Sequence, residues 1–184
     1  MPGRERKAGT EGGEALTDGA KWHALWTHSN CEQMVHDQLA PRGFHVFLPR
    51  VQTWSRQGGG RKLISTPMFP GYLFLRHVMD KTSYVEVLKS RGLVRILGQR
   101  WDRLSPIPDD EIDAVKRVSE AGLPALPYPY IHDGQRMRIL RGPLAGVEGI
   151  FLEGDPAKGL LVLSVELLRR SVAVEIDCTS VAAA

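Results

Sequence analysis

Apolar positions in residues 21–118 change their spacing several times, which indicates strands and helices that follow one another along the chain. Residues 21–27 place Trp22 and Trp26 amid apolar neighbours, so both faces of this segment are apolar and a central strand is predicted. Residues 71–76 show the same pattern. Shorter strands are expected at residues 44–49, 51–54, 63–65 and 94–97.

Three helices are predicted in the same region. The first carries Cys31, Val35 and Leu39 at four-residue spacing. Ser29 and Glu32 form the pattern of a capping box at its start. The second helix is expected to start at Asp80, with Tyr84, Val87 and Leu88 facing inward. The third is expected to start at Pro106, with Ile112, Val115 and Val118 facing inward. Together the elements predict an α+β fold in which helices flank an antiparallel sheet.

A second domain is predicted after a proline-rich connector. Prolines at three positions in residues 122–130 exclude a helix and favour extended chain. Short strands separated by Gly/Pro turns follow, which predicts a small β-barrel. Its strands are expected at residues 135–140, 148–153, 160–165 and 171–176, with Val181 on a closing edge. The predicted division is a disordered tail at 1–20, a first domain at 21–120, a linker at 121–131 and a barrel at 132–184.

The net charge of +3 is unevenly distributed. Residues 21–118 carry 15 lysines and arginines against 9 aspartates and glutamates, whereas residues 133–184 carry 6 against 7. A basic first half suits work near nucleic acid, and it is equally typical of a plain soluble surface. No apolar run reaches the roughly 18 residues that a membrane span needs. Residues 1–20 also lack the apolar core of a secretory signal, so a soluble, cytoplasmic protein is expected.

Reactive groups are sparse and scattered. Cys31 and Cys178 are expected to be reduced thiols, with a disulfide between them as the alternative. None of the six histidines pairs with a carboxylate or cysteine at catalytic or metal-ligand spacing. The sequence also lacks a phosphate-binding loop and a nucleophile motif. We therefore predict no metal site, no cofactor and no enzymatic activity.

Two segments bounded by glycine and proline carry the most specific signal. Residues 68–75 read MFPGYLFL, and residues 134–139, GQRMRI, are followed by GPLAGVEG at residues 142–149. The first segment resembles the core strand of the NusG amino-terminal (NGN) domain. The second resembles a KOW motif, the signature of a small SH3-like barrel. The resemblance covers residues 21–181 and implies a NusG-family transcription elongation factor.

The resemblance implies two surfaces on the first domain. Members of the family grip the clamp helices of RNA polymerase with an exposed hydrophobic depression. Trp22, Phe69, Tyr72 and Phe74 are expected at or beside it, although alternate residues of one strand are also typical core positions. A neighbouring edge of the domain faces DNA in the elongation complex. The basic residues expected there are Arg50, Arg56, Arg61 and Lys62, for which solvated loop charge is the alternative.

The KOW barrel implies a further partner. In the family it contacts the termination factor Rho or a small-subunit ribosomal protein. Leu167 and Leu168 match an apolar pair used for those partners, and two adjacent strand residues point to opposite faces, so one leucine is expected to be exposed. The linker is expected to hold the barrel apart from the first domain. Because the barrel segment is rich in β-branched residues, we also expect it to stay in strands rather than refold into helices.

The implied function is mechanical. By bridging the polymerase cleft, the protein would hinder clamp opening and suppress pausing. It would act as a monomer and without covalent chemistry. Residues 161–175 resemble the barrel of specialised UpxY/LoaP-type antitermination paralogues, which promote processive elongation of particular operons. A housekeeping NusG that acts in elongation and Rho-dependent termination is the first alternative. A ribosome-associated KOW RNA-binding protein is the second.

Overall fold

The computed structural model describes residues 19–57, 60–128, 134–155, 158–177 and 180–184. Most of the predicted tail, residues 1–18, lies outside them. Cys178 does too, so the expected pair of reduced thiols stays a prediction, while Cys31 is a free thiol. Within the described ranges, no helix is long and apolar enough to cross a membrane.

The first domain contains nine strands and three helices among the described residues. They are β1 (Lys21–Thr27), α1 (Glu32–Leu39), a 3-10 turn (Ala40–Arg42), β2 (His45–Phe47), β3 (Arg50–Gln57), β4 (Gly60–Pro67), β5 (Tyr72–His77), α2 (Lys81–Leu88), β6 (Leu93–Ile96), β7 (Gly98–Arg100), β8 (Arg103–Leu104), β9 (Pro106–Ile107) and α3 (Asp109–Ala121). The strands β7, β8 and β9 are too short to show a sequence period, so the sequence pattern does not predict them.

The main sheet of this domain has the strand order β2-β5-β1-β6, and β9 also pairs with β1. All of these pairs are antiparallel, and β1 lies inside the sheet as predicted. One face packs against α1 and α2 through a cluster of buried aliphatic residues: Leu25, Val35, Leu39, Leu73, Leu75, Val87 and Ile96. The other face packs against α3, whose predicted inward residues Ile112, Val115 and Val118 are all buried. The predicted α+β fold is confirmed.

The second domain is entirely strands and turns in the described residues. Its elements are β10 (Ala125–Tyr128), β11 (Arg136–Ile139), β12 (Glu148–Asp155), β13 (Lys158–Val165), a 3-10 turn (Glu166–Leu168), β14 (Arg170–Asp177) and β15 (Val181–Ala183). They form one antiparallel sheet in the order β10-β14-β13-β12-β11-β15. The predicted strands are therefore present, and β15 provides the expected closing edge around Val181.

The predicted linker at residues 121–131 contains a strand among its described residues, and residues 129–131 lie outside them. Ala121 ends α3, and residues 125–128 form β10, which pairs with β14 from Ala125↔Val174 to Tyr128↔Ser171. Proline density excluded a helix, but it did not exclude a strand. Because β10 is an edge strand, Pro127 can lack an N–H without interrupting the sheet. Residues 125–128 are thus paired with the sheet of the second domain.

Two local predictions about helices also fail. The proposed capping box at the start of α1 is absent: Cys31 is the N-cap residue, and no side chain caps the helix. The buried Glu32 carboxylate instead accepts a 2.6 Å hydrogen bond from the Gly71 N–H. In α2, Asp80 caps the helix through a 2.6 Å bond from the Ser83 N–H, as predicted. Leu88, however, is exposed rather than part of the apolar stripe.

Candidate functional site

The first candidate surface is set by the pairing of β1 with β5. Ala24 lies opposite Phe74, and Trp26 lies opposite Tyr72. Since strand side chains alternate between faces, these residues and Trp22 share the face that packs on α3. The register thus brings together three of the four predicted polymerase-contact residues and adds Trp26.

Three of the four predicted residues lie in the core. Trp22, Phe69 and Phe74 are buried, and the rings of Phe69 and Phe74 meet edge to face with centroids 6.0 Å apart. Helix α3 covers this end of the sheet, where Lys116 places its ammonium 4.8 Å from the centre of the Trp22 ring. Tyr72 is half-buried and keeps access to solvent. The buried aromatics therefore support the surface, and Tyr72 is the member of the set that lies on it.

Trp26 completes the exposed end of this face, although it is not among the residues predicted to contact polymerase. Its side chain is 39% exposed, and the Arg95 guanidinium lies 5.4 Å from the ring centre. The sequence does contain a signal for Trp26. Trp22 and Trp26 are four residues apart on one strand, so their side chains must lie on the same face. What the sequence lacked was the pairing that places Trp26 beside Tyr72. We define Trp26, Tyr72 and Arg95 as the aromatic edge.

A tight turn positions Tyr72. Tyr72 donates its backbone N–H to the Phe69 carbonyl at 3.0 Å, and Gly71 has φ +86°. Proline at the second position and a positive-φ glycine at the third are the sequence requirements of a type II turn. Thr27 donates to the Gly71 carbonyl at 2.9 Å, so the turn is fixed to β1 as well as to Glu32.

The second candidate surface is the β3–β4 hairpin. Its register runs from Arg50↔Pro67 to Gln57↔Gly60 and makes Arg56 and Arg61 cross-strand partners. Lys62 is exposed on the adjacent position. Arg50 lies at the other end of the hairpin, where its guanidinium donates to the Gln33 side chain at 2.6 Å. The structure therefore groups three of the four predicted basic residues and separates Arg50 from them.

The expected exposed leucine on the barrel is not found. Leu167 and Leu168 lie in a 3-10 turn rather than on a strand, so the strand alternation does not apply to them. Leu168 is buried and Leu167 is half-buried, and both belong to the apolar cluster that continues into the first domain.

The two domains are packed together, which corrects the expectation that the linker holds them apart. α3 lies between them, with Arg117 donating to the Ala145 carbonyl at 3.0 Å and Glu111 accepting from the Glu166 N–H at 3.3 Å. A cavity of about 590 Å³ remains between α3 and the barrel strands. Burial there raises the pKa of the Glu111 carboxyl, and the hydrogen bond from Glu166 partly opposes this rise.

Comparison with known proteins agrees with both domains. The family model described as transcription termination factor NusG matches residues 20–116. The NusG transcription termination/antitermination protein of Escherichia coli strain K12 is 31% identical over 137 residues, which cover 74% of this chain and 76% of that protein. The corresponding protein of Buchnera aphidicola from Acyrthosiphon pisum is 26% identical over 167 residues, or 85% of this chain and 92% of that protein.

A solved structure supports the fold. The structure of the domain interaction in Thermotoga maritima NusG superposes with a TM-score of 0.57 at 18% identity and covers 90% of this chain and 97% of that one. The architecture is therefore an NGN domain followed by a KOW domain. The chain belongs to the NusG family of transcription termination/antitermination factors.

Proposed function

We propose that this chain binds RNA polymerase through the aromatic edge and promotes processive elongation, and antitermination, of particular operons. The observation that carries the proposal is the Pro-Gly turn at the start of β5. It holds Tyr72 beside Trp26 at the open end of a sheet face whose remaining aromatics are buried. The match of this domain to the NusG family supports polymerase as the partner.

The contact is apolar and fits the tip of a helical hairpin such as the polymerase clamp helices. Aromatic side chains dominate binding free energies when they become buried in an interface. Trp26 and Tyr72 supply the contact area, while Trp22, Phe69 and Phe74 hold the sheet beneath them. Arg95 adds a cation beside the Trp26 ring, which suits an acidic or carbonyl-rich partner surface.

Bridging across the polymerase cleft would hinder clamp opening and so suppress pausing. No covalent step is required, and we propose that the chain acts as a monomer in the cytoplasm, without a cofactor. The basic end of the β3–β4 hairpin, with Arg56, Arg61 and Lys62, would lie near the DNA of the elongation complex. Arg50 contributes less directly, because Gln33 already accepts from its guanidinium.

The KOW domain is proposed to recruit Rho or a small-subunit ribosomal protein through the turn that carries Leu167 and Leu168. These leucines pack within the apolar cluster shared with the first domain. Engagement of either partner would therefore require the barrel to separate from α3 and expose them. Such a step would make the second interaction conditional on a change in domain packing.

An operon-specific role is favoured by residues 161–175, which resemble the barrel of UpxY/LoaP-type paralogues. A housekeeping factor would act at most genes and in Rho-dependent termination. Transcript profiling of a deletion strain separates the two: loss of distal transcripts confined to one or a few long operons is expected. A genome-wide change in transcript ends would support the housekeeping role instead.

Co-purification tests the proposed partner. The tagged chain is expected to recover RNA polymerase subunits from its own cells, and purified core polymerase should bind the purified chain. Recovery of ribosomal particles without polymerase would overturn the proposal and favour the ribosome-associated alternative. A Trp101→Ala variant serves as a control, since Trp101 is exposed on the turn between β7 and β8 and is not part of the aromatic edge.

A further inference from the structure

Two basic side chains and a buried tryptophan lie side by side at one corner of the first sheet. Trp22 and His45 both lie opposite Arg76 in the strand register, so the three side chains share one face of β1, β5 and β2. The same register pairs Trp26 with Tyr72 toward the other end of β1. This corner therefore shares a face with the aromatic edge but lies at the opposite end of the strands.

Helix α3 adds a third basic side chain to the corner. Lys116 places its Nζ 4.8 Å from the centre of the Trp22 ring. The rings of Trp22 and His45 meet edge to face with centroids 5.3 Å apart, although their strands lie on either side of β5. Basic groups from two strands and a helix thus converge around one tryptophan. We define His45, Arg76 and Lys116 as the cationic cluster.

Arg76 lacks a partner for its charge. Its Nε is buried and has no hydrogen-bond partner among the described residues. Within the described ranges, no carboxylate forms an ion pair with Arg76 or with His45. A buried N–H without an acceptor is costly, and the cost is larger when the group is charged. A bound anion would supply the acceptor that Arg76 lacks.

The electrostatic surroundings of the cluster are cationic. Lys116 pairs with the Asp113 carboxylate at 3.2 Å, but Asp113 is 59% exposed, and an exposed ion pair within one helix holds a lysine only weakly. Partial burial lowers the pKa of the His45 ring, and the charges of Lys116 and then Arg76 lower it further. Asp113 therefore leaves a positive field at His45.

We propose that the cationic cluster binds a phosphate dianion, either free or as the terminal group of a small phosphomonoester. The planar guanidinium of Arg76 suits two phosphate oxygens, and Lys116 contributes a point charge from the facing helix. A phosphomonoester carries about two charges near neutral pH, which matches these two cations. A bound phosphate would tie α3 to β2 and β5. The cluster is separate from the aromatic edge, so phosphate binding goes beyond the proposed function.

The surface around the cluster disfavours a nucleic-acid backbone as the source of the phosphate. Trp22 is 1% exposed, so its ring offers no free face on which a base could stack. A phosphodiester carries one charge in each group, which would leave one of the two cations unbalanced. The dianion is therefore the better match.

Nuclear magnetic resonance of the full-length chain tests the site through its own histidine. Inorganic phosphate is titrated at slightly alkaline pH, with the ionic strength held constant by sodium chloride. The ring signal of His45, assigned with a His45→Gln variant, should shift saturably, whereas the signal of the exposed His28 should not. Because a bound dianion favours the imidazolium, the pKa of His45 should rise when phosphate is present.

Two further probes identify the form of the ligand. Methyl phosphate is a monoester and dimethyl phosphate is a diester. Equal binding of methyl phosphate and inorganic phosphate would show that the site accepts a phosphorylated small molecule, and binding of inorganic phosphate alone would identify the free anion. Dimethyl phosphate should bind at least about tenfold more weakly than inorganic phosphate, because it has lost one charge.

Neutral variants test the two cations. Arg76→Gln and Lys116→Gln should each weaken phosphate binding about tenfold, since each removes a charge-assisted hydrogen bond. Lys89→Gln is the matched control and should bind as wild type does. Lys89 pairs with Glu86 three residues earlier, as Lys116 does with Asp113, but it follows α2, which packs on the other face of the sheet. Circular dichroism verifies that each variant is folded.

Four results would overturn the inference. The first is the absence of a saturable shift of His45 in phosphate, and the second is an equal shift of His28, which would indicate a general ionic effect. The third is wild-type affinity for phosphate in both folded variants, Arg76→Gln and Lys116→Gln. The fourth is binding of dimethyl phosphate as tight as that of inorganic phosphate, which would favour a nucleic-acid backbone instead.

Discussion

The two faces of the first sheet are built from different kinds of residue. The face toward α1 and α2 is a closed aliphatic layer in which Leu25, Leu39 and Leu73 are fully buried. The face toward α3 is aromatic, and it is buried at Trp22 but open at Trp26 and Tyr72. The first face can contribute only to stability. The second combines a buried core at Trp22 with an exposed end at Trp26 and Tyr72, which we propose as the contact surface.

The largest effect is expected on the closed face. Leu39→Ala removes a fully buried side chain and should lower the free energy of unfolding by about 2–5 kcal/mol. Chemical denaturation measures this loss. Polymerase affinity of the fraction that remains folded should not change, and Val85→Ala on the exposed side of α2 is the matched control. A weaker polymerase affinity in folded Leu39→Ala would remove the distinction between the faces.

Tyr72→Ala should weaken polymerase binding more than it lowers stability, which is the opposite of Leu39→Ala. As a half-buried member of the aromatic edge, it should weaken polymerase binding by on the order of 2 kcal/mol if it is a hot spot, with a smaller loss of stability. Phe69→Ala is a poorer test of contact, because Phe69 is buried and its truncation should cost about 3–5 kcal/mol of stability. Surface-plasmon resonance with immobilised core polymerase, paired with denaturation curves, separates the two quantities. Unchanged affinity in folded Tyr72→Ala would reject the site.

Glu32 links the two faces, since it starts α1 on the closed face and holds the turn before β5. Glu32→Ala leaves the Gly71 N–H without its acceptor and should cost about 1–3 kcal/mol of stability. Glu32→Gln keeps an acceptor oxygen and should lose less. Thermal unfolding gives both values, and equal stability of Glu32→Ala and wild type would show that the hydrogen bond does not hold the turn.

The smallest effect is expected where α3 meets the barrel. Burial raises the pKa of Glu111, so the packed state binds its proton more tightly than the unfolded chain does. The contribution of Glu111 is therefore most favourable below its ordinary pKa and declines as pH rises through the raised value. Glu111→Gln should flatten this part of the stability profile between acidic and neutral pH. A wild-type slope that persists in the variant would assign it to other groups.

Many of the elements that build the two faces could be predicted from local sequence. The double-sided apolar pattern of residues 21–27 identified β1, and the spacing of Ile112, Val115 and Val118 identified α3, because strong periods survive tertiary packing. The chemistry of the Pro-Gly pair marked a special turn before Tyr72. The strands of the barrel were predicted for the same reasons, with their ends shifted by a few residues.

The predictions that failed share one cause. In each case a partner distant in sequence decides the local structure, and a local pattern does not show that partner. Glu32 had a local capping pattern but bonds to Gly71, 39 residues away. Residues 125–128 had no local reason to form a strand and do so because β14 offers an edge. The neighbourhood of Trp26 and Tyr72 likewise depends on the β1–β5 register. A single sequence shows which residues suit a surface, but the long-range pairing decides which of them reach it.

Hydroxyl-radical footprinting of the chain alone and bound to core polymerase tests the central claim most directly. Trp26 and Trp101 are matched probes, because their side chains are 39% and 38% exposed. The account predicts that oxidation of Trp26 and Tyr72 falls strongly on binding polymerase, while oxidation of Trp101 stays at the free level. Protection of Trp101 with Trp26 and Tyr72 still fully oxidised would place the polymerase contact elsewhere and contradict the account.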